Sequence, residues 1–234
     1  MGLFLDSAKI EEVRQAVELG FVRGVTTNPT LMAKVKRPAK DVIRDICAIA
    51  PGPVFYQVTG KTVAEREAEI VGMYELQWGT REAPSAPRRA VVIKIPATTE
   101  NFRLMARVTD LSFRNPPVCC AATAVYSGHQ TLVACEAGAS YVIPYVNRAT
   151  RLLGDGCKLV AEMAAVIKAT GKRAEILAAS IKTAEEAAQA VLAGANHLTL
   201  PMDILLSLGN HPLSDAAIEE FSRAATQANS EVRS

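Results

Sequence analysis

The sequence predicts a closed (β/α)8 barrel, one domain over residues 1–234, with one extra helix near its C-terminal end. Three observations carry this. Eight short runs of strand-type composition recur along the chain. Stretches of helical periodicity separate them, which makes the strands parallel neighbours. Eight such units fit into 234 residues, the short end of the range for this barrel.

The strand runs, in order, are "GLFLD" (2–6), "VRGVTTN" (22–28), "PVFYQV" (53–58), "AVVIKIP" (90–96), "PVCCAAT" (117–123), "YVIPYV" (141–146), "AEILAAS" (174–180) and "NHLTLP" (196–201). Most are rich in β-branched or aromatic residues, which suit a pleated, packed surface. After the first, "SAKIEEVRQAVELG" sets Ile10, Val13, Val17 and Leu19 on one helical face, with Gly20 to close it. "GHQTLVACEAGA" and "GCKLVAEMAAVIKATG" have the same character. In "TAEEAAQAVLAG", Thr183 is the N-cap, Glu185 and Glu186 fill the first turn and Gly194 is the C-cap. The Pro-rich, charged segment 78–89 is expected to be exposed. "SDAAIEEFSRAATQA" gives the extra amphipathic helix, about 214–228. A doubly wound open sheet is disfavoured because no glycine-rich nucleotide loop follows the first strand.

Composition narrows the partners. The chain is 49% apolar and 5% aromatic, with net charge +2. No aromatic–basic interleaving suggests nucleic acid. The basic cluster Lys34, Lys36, Arg37 and Lys40 reads as a solvated loop and helix start. No run approaches the roughly 18 apolar residues of a membrane span. The start "MGLFLDSAK" is too short for a signal peptide, and Asp6 breaks the myristoylation pattern. The five cysteines form no CxxC pair, and Cys119 and Cys120 read as small core groups, which fits a reducing cytoplasm. His129, His197 and His211 lack metal-ligand spacing.

In such a barrel, chemistry sits at the C-terminal ends of the strands. Those ends carry Asp6; Thr26, Thr27 and Asn28; Gln57 and Thr59; Lys94; Thr123; Tyr145, Asn147 and Arg148; and Ser180. Every unit except the last contributes a polar group. Lys94 stands out, because it interrupts the apolar run "VVIKIP". A lysine aimed into the lumen loses water, its pKa falls, and a neutral amine becomes available to form a Schiff base with a carbonyl. The competing structural role is a lumen ion pair with Asp6.

The motifs "GVTTNP" (24–29), "VVIKIPAT" (91–98), "TAVYSGHQ" (123–130), "YVIPYVNR" (141–148) and "ILAAS" (176–180) resemble the small transaldolase family, which includes bacterial fructose-6-phosphate aldolase. The similarity runs in order from Gly2 to about Phe221. It implies a barrel whose strand-four lysine, here Lys94, forms the Schiff base, with no metal or organic cofactor. Transaldolases of the family typically carry Glu on strand three and Phe on strand six. Gln57 and Tyr145 stand there in this chain, which is similar to the aldolase pattern. The resemblance therefore implies cleavage of fructose 6-phosphate to dihydroxyacetone and glyceraldehyde 3-phosphate, with transaldolase activity as the alternative and a non-catalytic sugar-phosphate binder as the second.

The implied roles follow residue by residue. Gln57, Thr123 and Tyr145 share a water that handles protons. Asp6 and Asn28 hold substrate hydroxyls, Thr26 and Ser180 line the dihydroxyacetone end, and Arg148 anchors the phosphate, with Lys182 as the alternative anchor. Ile143 replaces a smaller residue and is expected to narrow the pocket. His129 has no assigned chemistry. Family members are often pentamers or decamers, so a homo-oligomer is expected, with sugar phosphates as the only other partners, in cytoplasmic carbohydrate metabolism and the pentose phosphate pathway.

Overall fold

A computed structural model of the chain describes residues 1–78, 91–110, 112–113 and 116–231. Eight parallel strands pair in chain order and close on themselves: β1 Gly2–Asp6, β2 Val22–Thr26, β3 Val54–Gln57, β4 Val91–Pro96, β5 Cys120–Val125, β6 Tyr141–Pro144, β7 Glu175–Ala178 and β8 His197–Leu200. The expected (β/α)8 barrel is the observed fold. The helices are α1 Ile10–Glu18, α2 Pro29–Val35, α3 Ala39–Ile49, α4 Val63–Tyr74, α5 Thr99–Val108, α6 Gly128–Glu136, α7 Val146–Leu153, α8 Gly156–Thr170, α9 Ala184–Leu192, α10 Met202–Ser207 and α11 Pro212–Glu231.

Strand alternation divides the core in two. Leu5, Val25, Val54, Ile93, Ile95, Val142, Ile176 and Leu198 point outward and pack with the helices. Phe4, Phe55, Val92, Ala121, Ile143 and Leu177 point inward and fill the lumen. Phe4 and Phe55 meet edge to face at 5.7 Å. Gly24 makes room for this pair: a Cβ there would lie 2.8 Å from the Phe4 ring and 2.4 Å from the Pro53 carbonyl oxygen.

Side-chain caps start many of the helices. Thr62, Thr98, Ser127, Asp155 and Thr183 each accept a backbone N–H at the start of α4, α5, α6, α8 and α9. Such caps contribute about 0.5–2 kcal/mol each. Thr183 is the cap the sequence predicts, and Gly20 and Gly194 adopt the left-handed conformation, φ 74° and 109°, after α1 and α9.

Some expectations change. On α1, Val13 and Ala16 are buried while Val17 is 38% exposed. β6 stops at Pro144, and Val146 already begins α7. α2 and α10 are short helices that the strand-and-helix pattern did not separate from their loops. The extra helix is longer than expected, Pro212–Glu231. Apart from Trp78, which ends a short 3-10 turn, the segment 78–89 lies outside the described residues.

Candidate active site

Asp6, Gln57, Lys94 and Tyr145 come from four different strand ends and line one cavity of about 580 Å³. Asn28, Lys34, Arg148, Ser180, Lys182 and Thr199 line it as well. Among these charged residues four are basic and only Asp6 is acidic, so the cavity favours an anionic ligand.

Lys94 sits in register with Gln57 of β3 and Ala121 of β5, and it is 3% exposed. Its Nζ donates to the Thr27 carbonyl at 2.8 Å. Among the described residues it forms no ion pair, so the lumen salt bridge with Asp6 is not made. Burial holds its pKa below the ordinary lysine value, and the Asp6 charge opposes that shift only in part. An amine poised this way is available as a nucleophile.

Asp6 ends β1 in register with Thr26. Its Oδ1 accepts from the Thr26 hydroxyl at 2.8 Å, and the Asn28 amide lies 3.5 Å from each carboxylate oxygen. Asn28 also caps α2, its Oδ1 accepting from Leu31 N at 3.0 Å. The turn role and the site role therefore coexist in one side chain. Thr27 turns the other way, its hydroxyl bonded to the Phe55 carbonyl at 2.8 Å.

Across the lumen the Thr123 and Tyr145 hydroxyls lie 3.1 Å apart. A bulge in β5 between Thr123 and Val125, with Ala124 at φ 57°, lets Thr123 face the lumen while Val125 packs outward. Burial pushes the Tyr145 phenol above its ordinary pKa, so it stays protonated and able to donate. Gln57 Oε1 is buried and accepts no hydrogen bond among the described residues. A water or a substrate hydroxyl would satisfy it.

At the mouth, the Arg148 guanidinium lies 4.9 Å over the Tyr145 ring centroid. Ser180 follows β7 at φ 60°, and its carbonyl accepts from Asn147 N at 3.1 Å. Among the described residues, two of the three non-glycine positions with left-handed backbone, Ala124 and Ser180, thus abut the site.

The structure brings Asp6, Asn28, Gln57, Lys94, Tyr145, Arg148 and Ser180 to the cavity wall, with Thr26 and Thr123 hydrogen-bonded directly behind them. Thr59 is not among them; it bonds to Glu69 of α4. Asn147 and the exposed His129 do not line the cavity. Ile143 is completely buried among Phe55 and Leu177, below the cavity, and does not narrow it directly. Lys34, expected to be merely solvated, does line the cavity. The last strand also contributes, contrary to expectation: Thr199 is 2% exposed and its Oγ1 is 2.6 Å from Thr26 Oγ1. Its pairing with the inward-facing Phe4 turns it into the lumen. Among the described residues no three His, Cys, Asp or Glu side chains gather as a metal-ligand set.

A family model described as transaldolase/fructose-6-phosphate aldolase matches residues 3–233. A probable transaldolase of Herpetosiphon aurantiacus is 36% identical over 94% of this chain and 93% of its own length. Probable transaldolase 1 of Bacillus cereus is 36% identical over 94% and 95%, and a probable transaldolase of Hydrogenobaculum sp. is 37% identical over 94% of each. Among solved structures, a mutant of mandelate oxidase carrying an FMN adduct superposes with TM-score 0.55 at 13% identity, over 88% of this chain and 65% of that one. That likeness reflects the barrel alone.

Proposed function

The chain belongs to the transaldolase/fructose-6-phosphate aldolase family, and from that premise we propose that it is a transaldolase, moving a dihydroxyacetone unit between sugar phosphates. The observation that carries the reading is Lys94, a desolvated amine at the C-terminal end of β4, facing an anion-favouring cavity. The family's chemistry runs through a covalent Schiff base with substrate and uses no cofactor.

In the proposed sequence Lys94 attacks the ketone of a ketose phosphate and, with loss of water, forms an iminium. The C4 hydroxyl gives its proton to Asp6. The C3–C4 bond breaks, and its electrons pass into the iminium to leave an enamine on Lys94. Asn28 orients the hydroxyls near the breaking bond, Thr26 and Ser180 lie at the dihydroxyacetone end, and Arg148 holds the phosphate of the departing aldehyde. The enamine then attacks an aldehyde acceptor, Asp6 returns its proton, and hydrolysis frees the new ketose.

The sequence reading put release of free dihydroxyacetone first. The relatives' names support transfer instead. One observation favours release as a second reading: the Thr123–Tyr145 hydroxyl contact and Gln57 Oε1, which accepts no hydrogen bond among the described residues, share one cavity where a water could protonate the enamine carbon. The same proposal includes a cytoplasmic role in the pentose phosphate pathway and a homo-oligomer, pentameric or decameric. The exposed Leu213, Ile218 and Phe221 of α11 support packing against another copy.

The test is glyceraldehyde 3-phosphate release from fructose 6-phosphate, with and without erythrose 4-phosphate, beside Lys94→Met and Tyr145→Phe. Transfer predicts release only with acceptor and none from Lys94→Met. Acceptor-independent release that disappears in Tyr145→Phe would establish the second reading. No release, together with no borohydride-trapped adduct on Lys94, would leave a sugar-phosphate binder.

A further inference from the structure

Thr199 enters the site through a short chain of hydroxyls. The Thr26 hydroxyl owns one proton, and it donates that proton to Asp6 Oδ1 at 2.8 Å. The 2.6 Å contact between Thr26 and Thr199 therefore takes its proton from Thr199. While Asp6 is a carboxylate, the chain has a single direction: Thr199 donates to Thr26, and Thr26 donates to Asp6. Thr26 is 0% exposed and Thr199 2%, so both hydroxyls are largely shielded from solvent.

The consequence falls on the carboxylate. Oδ1 is occupied by Thr26, whose rotor is pinned by Thr199. Oδ2 keeps only the long 3.5 Å contact with the Asn28 amide among the described residues. Asp6 lines the cavity, so the plane of the carboxylate decides whether its free oxygen faces a substrate hydroxyl. Each link also polarises the next, since a donor that is itself accepting is a stronger donor. β8 and β2 flank β1, which is why residues 173 positions apart can meet and act on Asp6 through Thr26.

We propose that Thr199 is a positioning residue for the carbon–carbon bond step: through Thr26 it fixes the Asp6 carboxylate with Oδ2 free to take and return the substrate's C4 proton. The relay presupposes the Schiff-base reading of Lys94 and the role of Asp6 given above. It acts on bond cleavage and formation, and leaves attack by Lys94 untouched, because dihydroxyacetone adds to the amine without any C3–C4 bond to break.

Thr199→Val keeps the shape and removes the donor. We expect kcat for acceptor-dependent cleavage of fructose 6-phosphate to fall roughly tenfold, the scale of one lost hydrogen bond, with KM within about twofold. Borohydride trapping of dihydroxyacetone on Lys94 should match the wild type. Thr199→Ser should restore kcat, and Thr199→Ala should behave as the valine variant does, which guards against a folding artefact of either. Unchanged kcat in Thr199→Val and Thr199→Ala would overturn the relay, as would a serine variant as slow as the valine one, or loss of the trapped adduct in Thr199→Val. Absence of the adduct in the wild type would overturn the Lys94 reading itself, and the relay with it.

Discussion

Phe4, Phe55, Val92 and Ile143 fill the lower lumen, while Asp6, Gln57, Lys94 and Tyr145 stand two residues further along the chain, at or just past the ends of the same four strands. The step is about 6.6 Å, two residues of rise. Both sets face inward with the same alternation, yet they serve opposite ends. Below, burying a large apolar side chain contributes about 1.5–3 kcal/mol. Above, hydroxyls, amides and a carboxylate are buried near one another, and their mutual hydrogen bonds roughly offset the water they lost. The upper zone therefore adds little stability, and at Lys94 it subtracts some. Its polar groups can be spent on substrate because the zone beneath holds the barrel closed.

The largest break in this comparison is to make an upper position resemble a lower one. Lys94→Met should abolish turnover and still stabilise the fold, by about 1–3 kcal/mol or several degrees of Tm for a chain of this size. The gain should depend on pH. Burial lowers the folded-state pKa of Lys94 below its ordinary 10.5. Between those two values the unfolded chain binds a proton that the folded chain lacks, so wild-type stability rises with pH across that window. The methionine variant lacks that slope. Its advantage should be greatest below the folded pKa and shrink as pH approaches 10.5. Thermal melts across pH check this, and a variant less stable than the wild type at neutral pH would contradict it.

A smaller effect should separate the floor of the upper zone from its mouth. Arg148 touches the site from α7, stacked over Tyr145, and takes no part in the wall hydrogen bonds around Asp6 or Lys94. Arg148→Met should lower kcat/KM for fructose 6-phosphate by about 10- to 100-fold through lost charge-assisted bonds, mostly in KM. With an unphosphorylated ketose the two proteins should differ little. Equal losses on both substrates would place Arg148 in the chemistry rather than on the phosphate.

Much of this division was legible in the sequence, for physical reasons that also mark its limit. β4 announced Lys94 because an ammonium inside "VVIKIP" violates the composition of a buried strand. Asp6, Gln57 and Tyr145 were found through their places at strand ends, and the family resemblance gave them their roles. Thr199 was missed because "HLTL" is a plausible strand whichever way its threonine points. Its partner lies on β2, and only closure of the barrel through β8, β1 and β2 brings the two together. Lys34 was read as solvated because α2 was not recognised as a helix starting at the rim. Ile143 was placed beside the pocket by comparison with the family pattern, whereas it lies two residues below Tyr145, in the lower zone.

That last displacement offers the finest test. Ile143→Val removes one methylene from a side chain that is fully buried between Phe55 and Leu177 and absent from the cavity wall. A lower-zone residue should then cost about 0.5–1.5 kcal/mol of stability, seen as a Tm drop of a few degrees. Its kinetics should stay within about twofold of the wild type on short and long aldehyde acceptors alike. If Ile143 instead limited the pocket, the variant would accept bulkier aldehydes preferentially, with kcat/KM rising for long acceptors and not for short ones. The two outcomes differ in which measurement moves. A melt that shifts without a change in acceptor preference confines Ile143 to the packing beneath the site, and an altered acceptor preference would move the boundary between the two zones down by one residue layer on β6.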